Sequence, residues 1–253
     1  MNDSFTKRST SPGPDFYAVE AAGLRWLAAA GADAARVVGV RTVLPDGIEL
    51  ERLTPAPPTR QAGEAFGRAL GATHAAGADG FGAPPAGWHG SGYIGRQPLS
   101  LRLVPTWGEF YAEQRVQPYA RRAREVGHLS AAGARKIDRV CERLRAGEFD
   151  DDRPPARIHG DLWSGNLLFT DDSAVLIDPA AHGGHGLTDL AMLHLFGAPH
   201  LAAMTSAYAA TARLDPGWID LIGLHQLHPL LVHAVSHDAS YGVAAEQVAA
   251  RYL

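Results

Sequence analysis

Apolar residues recur along this chain at two periods, and the switches between them divide it into segments. Phe16 to Ala29 carries Val19, Leu24, Leu27 and Ala28 near helical spacing and predicts a helix. Val37 to Leu44 is a β-branched run, Pro45-Asp46-Gly47 supplies turn residues, and Ile48 to Leu53 reads as a returning strand, so a hairpin is expected. Upstream, Phe5-Thr6-Lys7 reads as the tail of a strand, followed by a turn-rich break from Ser9 to Pro14. Thr54 to Pro58 is a linker-like break, because proline fixes φ and removes a donor. Helices are then expected over Arg60 to Ala76, Trp107 to Arg124 and Ser130 to Arg145, with a Gly/Pro/Trp-rich loop from Gly77 to Gly95. Arg157-Ile158 enters a loop, and two short strands, Leu167 to Phe169 and Ala174 to Ile177, flank an acidic turn that includes Asp171 and Asp172. Asp189 to Leu253 reads as mostly helical.

Composition narrows the partners. A net charge of −4 over 253 residues gives no electrostatic case for nucleic acid or an anionic membrane surface. Cys141, the one cysteine, falls in a helical run and reads as a buried bystander thiol, as expected in a reducing compartment. No stretch approaches the ~20 apolar residues of a membrane helix, and the first residues lack the apolar core of a secretory signal. A soluble cytoplasmic protein is expected.

The chemistry concentrates between Arg157 and Asp178. Asp161 and Asn166 lie in one loop, HGDLWSGN, and Asp178 follows the expected two-stranded ribbon. A ribbon folds its ends together, so two carboxylates and an amide oxygen converge on a small volume. Hard oxygen ligands of this kind suit magnesium carried by nucleotide phosphates, with one carboxylate left over to accept a hydroxyl proton. Those are the parts of a phosphoryl-transfer site in the protein-kinase-like fold. Gly160 stands where protein kinases have an arginine that reads a phosphorylated activation loop, and Pro179-Ala180 follows Asp178 in place of Phe-Gly. Both point to a small-molecule kinase.

RIHGDLWSGNLLF, followed by VLIDPA and TDLAMLHLFG, resembles the fructosamine kinase (ketosamine kinase-like) family. Tyr93-Ile94-Gly95, the helix bearing Trp107, Phe110 and Arg115, and FGRALGATH at Phe66 to His74 extend the likeness. The resemblance implies an α+β, protein-kinase-like two-lobed fold. Residues 1–53 would form a truncated N-terminal β lobe and 54–253 a mainly helical C-terminal lobe. It implies Asp161 as catalytic base and Asn166 and Asp178 as ligands of Mg2+. Lys7 would contact the ATP phosphates, Glu20 would hold that lysine, and Glu51, Arg52 and Leu53 would form the hinge that pairs with adenine. Trp163 and His185 would shape the acceptor site, while His159 and Asp189 brace the loop. The implied reaction is ATP-dependent phosphorylation of a sugar hydroxyl of a ketosamine, a glycated amine, in protein or amino-acid deglycation.

The chain departs from the family pattern in two places. Two strands and a glycine-rich turn normally precede the lysine, and the six residues before Lys7 are too few at ~3.3 Å per residue to supply them. The nucleotide lid is therefore expected to be missing, through a misassigned start, a truncation, or descent into a weak pseudokinase. After Asp178, Gly186 and Leu187 replace an Arg-Glu pair, which leaves an aminoglycoside- or choline-type acceptor open. Gly90-Ser-Gly92-Tyr-Ile-Gly95 fits G-x-G-x-x-G but follows a loop and comes after Lys7, so it reads as loop. His225, His228, His233 and His237 read as core or surface histidines, in a segment that Pro229 interrupts.

Overall fold

A computed structural model describes residues 3–8, 13–171 and 173–253. Part of the expected Ser9–Pro14 turn, and Asp172, lie outside the described residues. The chain opens with β1 (Ser4–Arg8), α1 (Phe16–Ala28), β2 (Arg36–Val37), β3 (Val40–Leu44) and β4 (Gly47–Glu51). The expected hairpin is β3–β4, and β1 adds antiparallel to β4 to give a sheet of order β1-β4-β3, with Lys7 opposite Ile48. The β-branched run does not form one strand. Its first residues form β2, which leaves this sheet and pairs in parallel with a strand near the chain's middle.

Pro57-Pro58 ends the extended linker, and the Thr59 hydroxyl accepts from the Ala62 N–H to start α2 (Arg60–Ala75). The Gly/Pro-rich stretch after it is not all loop: β5 (Gly92–Ile94) and β6 (Gln97–Leu99) form a small antiparallel ribbon. Trp107 to Glu125 is helical but not uniform. It comprises α3 (Trp107–Phe110), a π-helical turn over Tyr111–Val116, and α4 (Gln117–Glu125), where Pro118 lacks the N–H that a regular turn would use. The segment α5 (Ala131–Arg145) is capped by Ser130, and it buries Cys141, whose thiol burial pushes up to about 12.

The middle of the chain holds β7 (Ala156–Ile158), β8 (Leu167–Phe169), β9 (Ala174–Leu176) and β10 (His182–Gly184). Arg157-Ile158, read from sequence as loop entry, is paired: β7 runs antiparallel to β10. The order β2-β9-β8 ties the first sheet's region to the chemistry-bearing ribbon. Then follow α6 (Leu187–Phe196), α7 (Leu201–Ala212), α8 (Ile222–Ser236) and α9 (Ala239–Ala249). Pro229 does not interrupt α8. It removes the N–H that would reach the carbonyl of His225, and the buried Tyr111 hydroxyl donates to that carbonyl instead, at 2.7 Å.

Two apolar clusters carry the fold. One joins Leu24 and Leu27 of α1 and Ile48 of β4 to Phe66, Leu70, Leu167 and Leu190, so a single core crosses residue 53. The other lies among α3 to α5, α8 and α9. No helix among the described residues is long and apolar enough to cross a membrane.

Helix α2 packs along α7 through Gly63, Gly67 and Gly71, one helical turn apart. A Cβ on Gly67 would run into the Met204 carbonyl. Gly67→Ala is expected to cost about 1–3 kcal/mol by forcing the helices apart, read as a lowered urea midpoint. Gly217→Ala, where nothing lies within 4 Å of the added carbon, serves as the near-neutral control; equal midpoints for the two variants would contradict the packing argument.

Candidate active site

The loop between β7 and β8 is held from below by one carboxylate. Asp189, in the first turn of α6, is fully buried. Its Oδ2 accepts from the His159 N–H at 2.8 Å and its Oδ1 from the Gly160 N–H at 2.8 Å. His74 of α2 sits with Nε2 at 3.0 Å from Oδ2, and the Tyr208 hydroxyl lies 2.7 Å from His74 Nδ1. Those partners assign the proton to Nε2, which donates to Asp189, while Nδ1 accepts from Tyr208. Burial opposes ionisation of Asp189, but the hydrogen bond from His74 and the N–H of His159 outweigh it and hold the carboxyl below its usual range.

His159 links the loop to the ribbon's far end. Its Nε2 donates to the Ile177 carbonyl at 2.8 Å, and its Nδ1 accepts from the Asp161 N–H at 3.2 Å. Burial lowers the imidazole's pKa, consistent with this neutral tautomer. Gly160 adopts φ +81°, and a Cβ there would strike the Ala180 carbonyl. Glycine at this position is therefore demanded by backbone conformation and by close approach, a reason the sequence comparison with protein kinases did not supply.

The ribbon closes as its register requires: Leu167 faces Leu176, and the Ile177 N–H donates to the Asn166 carbonyl at 3.1 Å. Asp178 is thereby returned beside the loop. Asn166 Nδ2 donates to the Asp161 carbonyl at 2.8 Å, lies 3.2 Å from Asp161 Oδ2 and 3.4 Å from the Asp178 carbonyl. That fixes the amide and assigns its oxygen to the open side. Asp178 sits at φ +52°, a left-handed conformation that a non-glycine residue adopts only at a cost. Its Oδ1 is 3.0 Å from Lys7 Nζ, which also donates to Glu20 Oε2 at 2.9 Å. Burial works against the lysine's charge, but Glu20 and Asp178 outweigh it and raise its pKa.

Lys7, Glu20, Asp161, Asn166 and Asp178 all line one cleft of about 240 Å³, and Trp163 stands at its edge with 43% of its surface exposed. Burial drives the Asp161 carboxyl up to about 7; the Asn166 amide pulls the other way, and the charges of Asp189 and Asp178 add to the rise. On the far side of Lys7, Glu51, Arg52 and Leu53 border a second cavity of about 370 Å³ floored by Val38, Leu50, Leu168 and Ile177. His185 is not in this group. It is buried behind β10, bonded through Nε2 to Asp151 at 3.1 Å and tilted against Trp107 at 5.4 Å.

Sequence reasoning missed His74 and Tyr208. They lie 115 and 19 positions from Asp189, and only the packing of α2 on α7 brings them to it. The missed signal was the His74 at the end of an otherwise apolar-faced helix, in the segment already singled out as FGRALGATH.

The architecture and the site together define the protein-kinase-like class. An aminoglycoside phosphotransferase structure shares this fold at a TM-score of 0.65 and 10% identity, over 98% of this chain and 86% of its own. Within the class, the fructosamine kinase family model matches residues 1–253, and the chain belongs to that family. It is similar to a candidate fructosamine-3-kinase from Thermobifida fusca, with a TM-score of 0.90 and 43% identity over 98% of this chain and 85% of that one. A probable ketoamine kinase of Enterococcus faecium is 30% identical over 167 residues, 66% of this chain. The match spans 60% of that relative's length.

Asp189→Ala removes the acceptor of two buried N–H groups and of His74. At about 1–3 kcal/mol for each of the three buried donors left unpaired, a loss of at least about 3 kcal/mol is expected in equilibrium urea unfolding. A change below about 0.5 kcal/mol, the size of an ordinary surface substitution, would show that this carboxylate does not hold the loop.

Proposed function

We propose that this chain transfers the γ-phosphoryl group of ATP to a sugar hydroxyl of a ketosamine, and so acts in deglycation of amino acids or proteins. The observation that carries the reading is the convergence of Asp161, Asn166, Asp178 and Lys7 on one cleft, in a chain of the fructosamine kinase family. Family membership favours a ketosamine over an aminoglycoside or choline acceptor. We read residues up to about 53 as a partial N-terminal lobe that carries Lys7, Glu20 and the hinge, and the remainder as the catalytic lobe.

Each residue then has a task. The adenine would enter the apolar cavity beside Glu51 to Leu53. The Glu51 and Arg52 N–H groups already donate to the carbonyls of Gly39 and Asp3, so pairing with the base falls to the Leu53 N–H and the hinge carbonyls. Lys7, steered by Glu20, would neutralise phosphate oxygens. The donor set fits magnesium: a carboxylate with one oxygen on Lys7 and an amide with its nitrogen already committed, both hard oxygen ligands. Among the described residues no group of three or more His, Cys, Asp or Glu side chains is arranged to hold a metal by itself, which suits an ion that arrives with nucleotide phosphates. Asn166 and Asp178 would hold it, and it would supply charge neutralisation at the β- and γ-phosphates. Asp161 would orient the acceptor hydroxyl and take its proton.

Phosphate transfer from γ-labelled ATP to fructosyl-, ribulosyl- and erythrulosyl-lysine tests the reading. Transfer is expected with the unaltered chain, and a loss of at least about 100-fold with Asp161→Ala, the lower end of a general-base contribution. Undiminished transfer by that variant would remove Asp161 from the role. Because only the carboxylate form accepts a proton, a carboxyl poised at about 7 predicts that kcat/KM climbs as pH rises through 7 and levels off above it. A profile flat from pH 5.5 to 8.5 would contradict that assignment.

A further inference from the structure

Beyond Asp161 and Trp163 the cleft opens into a larger groove of about 730 Å³. One side is the β5–β6 ribbon, the segment whose G-x-G-x-x-G spacing had no nucleotide role in the sequence reading; Ile94 to Gln97 face the groove. The other side is the end of α8 with the start of α9. Lys7, Glu20, Asn166 and Asp178 do not line it. A molecule that places a hydroxyl on Asp161 and extends away from the phosphates therefore has this groove to enter.

The helical wall is a stack of rings. Phe196 and His233 have centroids 4.7 Å apart, His233 and His237 lie 5.0 Å apart and nearly parallel at 14°, and His233 and Tyr241 are 5.1 Å apart. His233 Nδ1 donates to the Pro229 carbonyl at 2.8 Å, which leaves Nε2 as an acceptor, and burial holds this imidazole's pKa down so that the ring is neutral. His237 is exposed, and the Trp163 indole is 43% exposed at the groove's base. The ribbon opposite is fixed at both ends: the Tyr93 hydroxyl donates to the Pro14 carbonyl at 3.0 Å, and Gln97 Nε2 lies 3.4 Å from Ser236 Oγ. A fixed slot with stacked π faces on one side and an exposed indole at its base favours flat partners, and such ring contacts add to the burial of their area.

We propose that this groove is the subsite for the amine-bearing portion of the acceptor, and that His233, His237 and Tyr241 select ring-bearing amines over small aliphatic ones. The inference rests on the ketosamine kinase reading and adds to it the residues that set acceptor preference. In the sequence His233 and His237 read only as core or surface histidines; here they serve as a recognition wall.

Two fructosamines with the same sugar separate the claims, one built on benzylamine and one on methylamine. Replacing exposed His237 by alanine, or Tyr241 by alanine, is expected to raise KM for the benzylamine adduct about tenfold, the loss of one to two ring contacts. KM for the methylamine adduct should stay within twofold, and kcat for both within twofold. An equal rise for both adducts, or no rise for either, would overturn the subsite. If neither adduct is phosphorylated by the unaltered chain, the proposed reaction fails. The groove is then judged by titrating tryptophan emission with the benzylamine adduct in the absence of nucleotide. Saturable binding that weakens tenfold in His237→Ala sustains the subsite, and binding indifferent to that substitution, or none, overturns it.

Discussion

One buried carboxylate organises the active centre. Asp189 ties together the backbone of two consecutive loop residues and the side chain of a helix far away in sequence. A charge at zero exposure persists only when every lone pair it presents is met by a donor, and that requirement fixes the heights of α2, α6 and the loop relative to one another. From there the constraint passes outward in single steps. His159 holds the Asp161 N–H on one ring nitrogen and the Ile177 carbonyl on the other, so Asp161 and the residue leading into Asp178 are set by the same imidazole. Asn166 bridges what remains between them, and Lys7 connects the result to α1.

How much of this was legible depended on sequence distance. The ribbon from Leu167 to Leu176 and the return of Asp178 could be read because they need only two short apolar runs and a polar turn. The β3–β4 hairpin was legible for the same reason. The parts that were not legible are those set by neighbours remote in the chain. Val37 looks like the start of a strand with Val40, yet it pairs with Leu176. Pro229 looks like a helix break, yet Tyr111, more than a hundred residues earlier, supplies the donor that its helix lacks. The π turn before Pro118 has no periodic signature at all. At the site, the motif pointed to residues that the fold brings together in one cleft; the residues that hold the motif, His74 and Tyr208, came only from tertiary packing. His185 was assigned to the acceptor by its place in a family motif, but β10 carries it behind the loop, where it meets Asp151.

The cleft and groove meet at Asp161 and Trp163. A phosphoryl donor and an acceptor approaching from opposite sides would meet at that carboxylate, an arrangement compatible with in-line transfer. The walls of the groove come mainly from β5–β6, α8 and α9, none of which supplies a candidate magnesium ligand.

The account stands or falls on whether Asp161, Asn166 and Asp178 form a site for a magnesium-bound nucleotide. The most direct measurement is calorimetric titration of a non-hydrolysable ATP analogue, with magnesium, without it, and with magnesium in Asp178→Asn. Saturable binding in the first case, weaker by at least about tenfold, or 1.4 kcal/mol, in the other two, is the predicted result. Equal affinity in all three titrations, or no binding in any, would contradict it.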